Sequence, residues 1–135
     1  IQSLMNENPI NNEPGYETAD INDKKSSDYN EYIRFNKYNF AIYEMLVDKK
    51  KFPYFTDVIE NYFVKNYKRI RSKLENLVEL DGNEYKTFIW NHNVKVDYKN
   101  LILKFDHLYE NLKNKDFSNV SKSSVHQCKS TSNEI

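Results

Sequence analysis

The sequence predicts a mainly α-helical chain with no sheet. Three observations carry this. Apolar residues recur at helical spacings over about 54–80. A short heptad-like seam follows at Tyr98, Leu101, Phe105, Leu108 and Leu112. Residues that start or stop helices stand at the ends of these runs.

The elements follow in chain order. Ile1, Leu4 and Met5 share one helical face, so residues 1–6 read as the end of a buried helix. Asn8-Pro9 and Pro14-Gly15 then break the pattern and predict a structured loop. The polar stretch Thr18–Ser27 reads as an exposed connector. Asp28 and Glu31 have capping-box spacing, which predicts a helix from Asp28 to about Val47. Its apolar side would hold Tyr29, Ile33, Phe40, Tyr43 and Leu46. Lys49, Lys50 and Lys51 complement its C-terminus as a solvated end.

Pro53 separates a second helix, about 54–80, whose inner face would carry Phe55, Ile59, Tyr62, Phe63, Ile70, Leu74 and Leu77. Gly82 suits a left-handed cap after it. A third helical region is expected over about 84–113, with Phe88, Ile89 and Trp90 as a core patch and the seam packed on the second helix. After Asp116 the chain is rich in Ser, Lys and Asn, a composition that predicts disorder. The expected division is therefore 1–80, a helical extension over 81–115, and a disordered tail over 116–135.

Composition excludes several function classes. Acids and bases balance at 20 each, which gives no general attraction to nucleic acid or to an anionic membrane. Apolar residues make up 39%, but 11 Tyr and 8 Phe supply large buried areas. No apolar run approaches the roughly 20 residues that cross a bilayer. The first stretch lacks the basic start and apolar run of a secretory signal. A single cysteine, Cys128, forms no internal disulfide, and this points to a reducing, intracellular home, cytoplasmic or nuclear. The chain begins with Ile rather than Met, as a piece of a longer protein or an incomplete gene model would.

His92, His107 and His126 are too scattered for a metal site. With only Gly15 and Gly82, no glycine-rich phosphate loop forms, and no cofactor is expected. Lys65, Lys68, Arg69, Arg71 and Lys73 interleave with Tyr62, Phe63 and Tyr67, a pattern that can bind nucleic acid through phosphates and stacking. The aromatics share the apolar face, however, so a solvated basic face is the preferred reading. His126 and Lys129 favour a thiolate at Cys128, but a polar tail offers no rigid shell for an acceptor, and Cys128 reads as an unreactive thiol.

The opening residues carry a family resemblance. Ser3-Leu4-Met5 is followed by Asn8-Pro9-Ile10-Asn11-Asn12-Glu13-Pro14-Gly15-Tyr16-Glu17. This resembles the segment just past the catalytic site of ubiquitin-conjugating (E2, UBC) enzymes. The N-E-P-G-Y-E version is similar to the giant hybrid E2/E3 proteins of the Bruce or Apollon type. Tyr29–Arg34 and Ala41–Leu46 resemble the two ends of the family's penultimate helix. Phe52-Pro53-Tyr54-Phe55-Thr56-Asp57-Val58-Ile59 resembles the start of its last one. The resemblance covers about residues 1–75.

It implies that the chain is the C-terminal helical part of an α+β UBC fold. The implied activity is transfer of ubiquitin from an E1, through a cysteine thioester, to a substrate lysine. The implied partners are ubiquitin, E1, and an E3 or substrate protein. The family's cysteine and H-P-N motif lie upstream of the matched segment and are not in this chain, so the chain alone should be inactive. Glu13 resembles an acidic residue that orients and deprotonates the incoming lysine; the loop is two residues longer than in the commonest E2s, and a plain exposed acid is the competing reading. Asn11 and Asn12 are neighbours with lesser claims, and Tyr16 reads as a packing residue. The alternative function is a noncatalytic helical interaction module.

Overall fold

The computed structural model describes residues 7–50 and 53–124, with the backbone alone over 115–124. The expected helix end at 1–6 lies outside the described residues, as do Cys128 and His126. A 3-10 turn, Pro9–Asn12, opens the described chain. Helix α1 is Lys24–Tyr38; it continues through a π-helical stretch, Asn39–Glu44, into a last turn, α2, Met45–Val47. Helix α3 is Thr56–Glu75 and α4 is Tyr98–Ser124. Between them, β1 (Glu84–Lys86) and β2 (Asn93–Lys95) pair antiparallel with Tyr85 opposite Val94.

The chain is mainly helical, as expected, with α3 and α4 packed together over the predicted seam. Tyr98, Leu101, Phe105 and Leu112 are buried. From α3, Phe63 and Leu74 are almost wholly enclosed, and from α1, Phe35 and Tyr38 join them. The rings of Phe63 and Phe105 lie 5.6 Å apart, and Tyr98 meets Phe35 edge-on at 5.3 Å. Burial of each such side chain contributes about 1.5–3 kcal/mol. Each aromatic pair adds about 0.5–1.5 kcal/mol. Tyr67 stacks on Tyr109 at 3.8 Å beside this core.

Several boundaries differ from the expectation. Helix α1 begins at Lys24, not Asp28. Its cap is Asp23, whose carboxylate accepts from the Lys25 N–H, while Asp28 sits one turn inside and pairs with Lys24 at 2.7 Å. The polar stretch before Asp28 hid this turn because Ser26, a small polar residue, faces the interior. Tyr38 points inward, so Phe40, about 200° further round the helix, points out and is 58% exposed. Phe55 and Tyr62 are likewise exposed rather than on the inner face.

Helix α3 stops at Glu75 instead of near 80, and a 3-10 turn spans Val78–Leu80. Gly82 is left-handed, with φ +88°, but it serves the turn into β1 and donates its N–H to the Val96 carbonyl. Residues 84–95 form a hairpin where helix and no sheet were expected. The Asp81 carboxylate closes this connection by accepting the N–H groups of Tyr98 and Lys99, which starts α4 at Tyr98. The backbone of α4 runs to Ser124, into the stretch read as a disordered tail; residues 125–135 lie outside the described residues.

The inward and outward assignments have a direct check. Leu74→Ala should lower the unfolding free energy by about 2–5 kcal/mol. Phe40→Ala should change it by no more than about 0.5 kcal/mol. Denaturant midpoints of the two variants measure both effects, and comparable losses would mean that Phe40 shares the core.

Candidate functional site

The loop carrying Glu13 has one apolar anchor, Ile10, which is 2% exposed. Its remaining order comes from amide side chains. Asn11 donates to the carbonyls of Tyr16, Glu17 and Ala19 at 3.0, 3.1 and 3.2 Å. Asn8, itself buried, donates to the Ala19 carbonyl at 2.9 Å and accepts from the Asn30 amide on α1 at 2.9 Å. Short amides of this kind mimic backbone turns, which is why they recur where the chain folds on itself. Gly15 adopts φ +84°, and its N–H donates to the Glu17 carboxylate. That bond and the Glu17 N–H hold the Glu17 carboxyl below its usual range.

Glu13 sits at the end of the 3-10 turn and is half-buried. Its Oε1 accepts the hydroxyl of Tyr29 at 2.7 Å. Its Oε2 has no partner among the described residues. The Tyr29 ring is 4% exposed. Burial first, then the Glu13 carboxylate, raises the Tyr29 hydroxyl well above the usual phenol range, so it remains a donor. The carboxylate is thus held by one oxygen, with the other directed away from its anchor.

The hairpin supports this arrangement on the same stripe of α1. Lys25, Tyr29 and Tyr32 form one stripe of the helix, spaced by four and three residues. Against it lie alternate residues of the hairpin. The Lys25 ammonium is 5.2 Å from the Phe88 ring, Tyr29 is 6.2 Å from Trp90, and the Tyr32 hydroxyl is 3.2 Å from His92 Nδ1. All three contacts come from the connection between β1 and β2, not from the strands themselves. Trp90 and Phe88 are therefore not a helix core patch; they are about half exposed at the hairpin tip, beside Asn91 with φ +51°.

Glu13 was expected from the sequence; Tyr29, Asn8, Asn30 and Trp90 were not. Tyr29 was legible only as an inward residue, because a phenol sixteen positions from its acceptor leaves no local signal. Asn11 proves to be a structural residue of the loop. Tyr16 is half-buried, and its N–H donates to the Glu13 carbonyl.

Two residues of the basic stretch on α3, Arg71 and Arg69, are engaged with neighbours, while Lys65, Lys68 and Lys73 are exposed. Arg71 reaches Asp106 on α4 and Glu75, and Arg69 reaches Tyr62 and Asn66. Tyr67 donates to Asp106, and its hydroxyl is pushed up to about 12 by burial and by that carboxylate. Among the described residues no three His, Cys, Asp or Glu side chains are grouped to hold a metal ion. No helix among them is long and apolar enough to cross a membrane.

Comparison with known proteins bears on most of the chain. The chain is 30% identical over 116 residues to ubiquitin-conjugating enzyme E2 Z of Xenopus tropicalis, a match covering 85% of this chain and 37% of the relative. The Danio rerio protein of the same name is 30% identical over 116 residues, covering 85% and 35%. The Homo sapiens protein is 30% identical over 105 residues, covering 77% and 29%. The chain carries a UBC-like region. It spans about a third of the length of these relatives. No protein-family model matches it. The match takes in 85% of the chain, more than the segment of about residues 1–75 that carries the family resemblance. The relatives bear the name E2 Z, not that of a giant hybrid.

Asn11→Ala removes three bonds that close the loop of this UBC-like region. Amide hydrogen exchange at Tyr16 and Ala19 should quicken at least about tenfold, the factor for about 1.4 kcal/mol lost, a net loss of about one to two hydrogen bonds. Exchange along α3 should stay unchanged. Unaltered exchange at Tyr16 and Ala19 would show that other contacts hold the loop.

Proposed function

We propose that this chain is the C-terminal portion of an E2 ubiquitin-conjugating enzyme. The reading is carried by one observation: the loop that resembles the post-catalytic segment of E2 enzymes folds as a compact turn that presents a singly anchored carboxylate, Glu13. The 30% identity to E2 Z proteins over most of the chain supports it. In the intact parent, ubiquitin passes from E1 to a cysteine as a thioester, then to a lysine of a substrate or a ligase. The UBC-like part is residues 1–80, and 81–115 is an extension packed on it. The setting is intracellular, cytoplasmic or nuclear, and the N-E-P-G-Y-E loop allies the parent with the giant hybrid E2/E3 proteins.

Glu13 acts in the transfer step. The lysine nitrogen attacks the thioester carbonyl carbon; a C–N bond forms, the C–S bond breaks, and the cysteine departs as a thiolate. The nitrogen gains positive charge as it attacks and then gives up a proton to the Glu13 carboxylate, which passes it to solvent. A carboxylate beside it aligns the amine and stabilises that charge. Glu13 Oε1 is occupied by Tyr29, and Oε2 is the oxygen that meets the amine.

A second reading, a noncatalytic interaction module, is favoured by an apolar groove that the π-helical stretch and α2 form with α3. It holds about 330 Å³ and is lined by Ile42, Met45, Val58, Ile59 and Tyr62, with Val58 and Tyr62 exposed.

The test is thioester loading of the full-length gene product with E1, ATP and ubiquitin. The parent should form a reductant-sensitive ubiquitin adduct, and the present chain alone should not. Glu13→Ala in the parent should slow discharge to free lysine by about 10–100-fold, at the low end of general acid–base contributions, while loading changes less than about twofold. A parent that never loads leaves the interaction module as the surviving reading.

A further inference from the structure

We propose that Tyr29 is a positioning residue for lysine transfer: its hydroxyl fixes the Glu13 carboxylate, and Trp90 of the hairpin fixes Tyr29. The inference rests on the reading of Glu13 given above and extends it to residues outside the loop.

The geometry comes in two steps. The Tyr29 hydroxyl meets Glu13 Oε1 at 2.7 Å. A glutamate side chain has three rotatable bonds, and one anchored oxygen removes most of its wandering while leaving Oε2 available. Tyr29 is itself held because its ring is nearly enclosed. The Trp90 ring lies 6.2 Å away at 41° to it. Trp90 is in turn tied to α1 through the residues on either side of it in the alternation, Phe88 over Lys25 and His92 beside Tyr32.

The hairpin explains why this support lies so far along the chain. Helix α1 offers one stripe to the loop and the hairpin together. A hairpin fastened at three points along that stripe is stiffer than a single ring against a single ring. The titratable groups that act on Tyr29 are Glu13 from the loop and Tyr32 from α1; Lys25 and His92 meet Phe88 and Tyr32 instead. Glu13 alone accepts from its hydroxyl.

The experiment uses the full-length parent, charged with ubiquitin and discharged to free lysine or to hydroxylamine under single turnover. Hydroxylamine is a small nucleophile that attacks without alignment by Glu13. Tyr29→Phe keeps the ring and removes the hydroxyl. Relative to thioester loading, it should slow lysine discharge about tenfold, less than the ~100-fold that outright misplacement of a reacting group costs. Hydroxylamine discharge should stay within about twofold. In a Glu13→Ala background, Tyr29→Phe should add less than about twofold, since both remove the same carboxylate from its place. Trp90→Ala should repeat the lysine defect, and Trp90→Phe should restore most of the rate.

Each contrary result has a separate meaning. If Glu13→Ala slows lysine discharge and Tyr29→Phe does not, Tyr29 has no positioning role and the Glu13 reading stands. If Glu13→Ala has no effect, the Glu13 reading fails and this inference with it. If the Tyr29 and Glu13 effects multiply, or hydroxylamine slows equally, Tyr29 acts through the fold alone and the proposal is overturned.

Discussion

The hydrogen bond from Tyr29 to Glu13 is where the loop, α1 and the hairpin meet. Without it the described part of the loop has Ile10 as its one buried apolar residue and a set of amide contacts to hold it. Ordering one residue of backbone costs about 1–2 kcal/mol. A single neutral hydrogen bond returns about 1 kcal/mol net. A loop this poor in apolar side chains therefore depends on tethers to a rigid element. Asn30 and Tyr29 are those tethers, and both belong to α1. A bond to a carboxylate is the stronger kind, so the Glu13 end is fixed more firmly than an amide would fix it.

Helix α1 can serve in this way because the aromatic core holds it. Phe35 and Tyr38 insert beside Tyr98 and the α3–α4 seam, so α1 cannot turn about its axis without opening that packing. Its two sides are thus committed in different ways. One is sealed by apolar burial. The other presents Lys25, Tyr29 and Tyr32 to the hairpin, and Asn30 and Tyr29 to the loop. Rigidity at the carboxylate comes from burial elsewhere. This is how a carboxylate on a loop gains the positional accuracy of one on a helix.

Much of this was legible in the sequence. The seam of α4 reads directly, because Tyr98, Leu101, Phe105 and Leu112 are both periodic and buried. The loop reads from Pro9, Pro14 and Gly15, and Glu13 reads from its neighbours. The hairpin does not read. Its strands are three residues long, with one inward residue each, Tyr85 and Val94. So short an alternation gives no period to detect. The run Phe88-Ile89-Trp90 looks like a helix face, and the turn relies on Asn91 rather than glycine for its positive φ. The start of α1 was missed because Asp23 and Asp28 are equally good caps; only the inward-facing Ser26 decides between them, and a serine carries no apolar signal. Tyr29 was found as a core residue and missed as a donor, since its acceptor is distant in sequence and close only after folding.

The UBC-like region thus combines an amide-tied loop with a scaffold whose hairpin and long α4 reach well past it. The claim on which this account turns is that Tyr29 and Glu13 are coupled, and not merely adjacent. A double-mutant cycle on unfolding of the 135-residue chain, with Tyr29→Phe, Glu13→Gln and the pair, measures that coupling directly. The account predicts a coupling free energy of about 1 kcal/mol. Effects that add to within about 0.3 kcal/mol would contradict it.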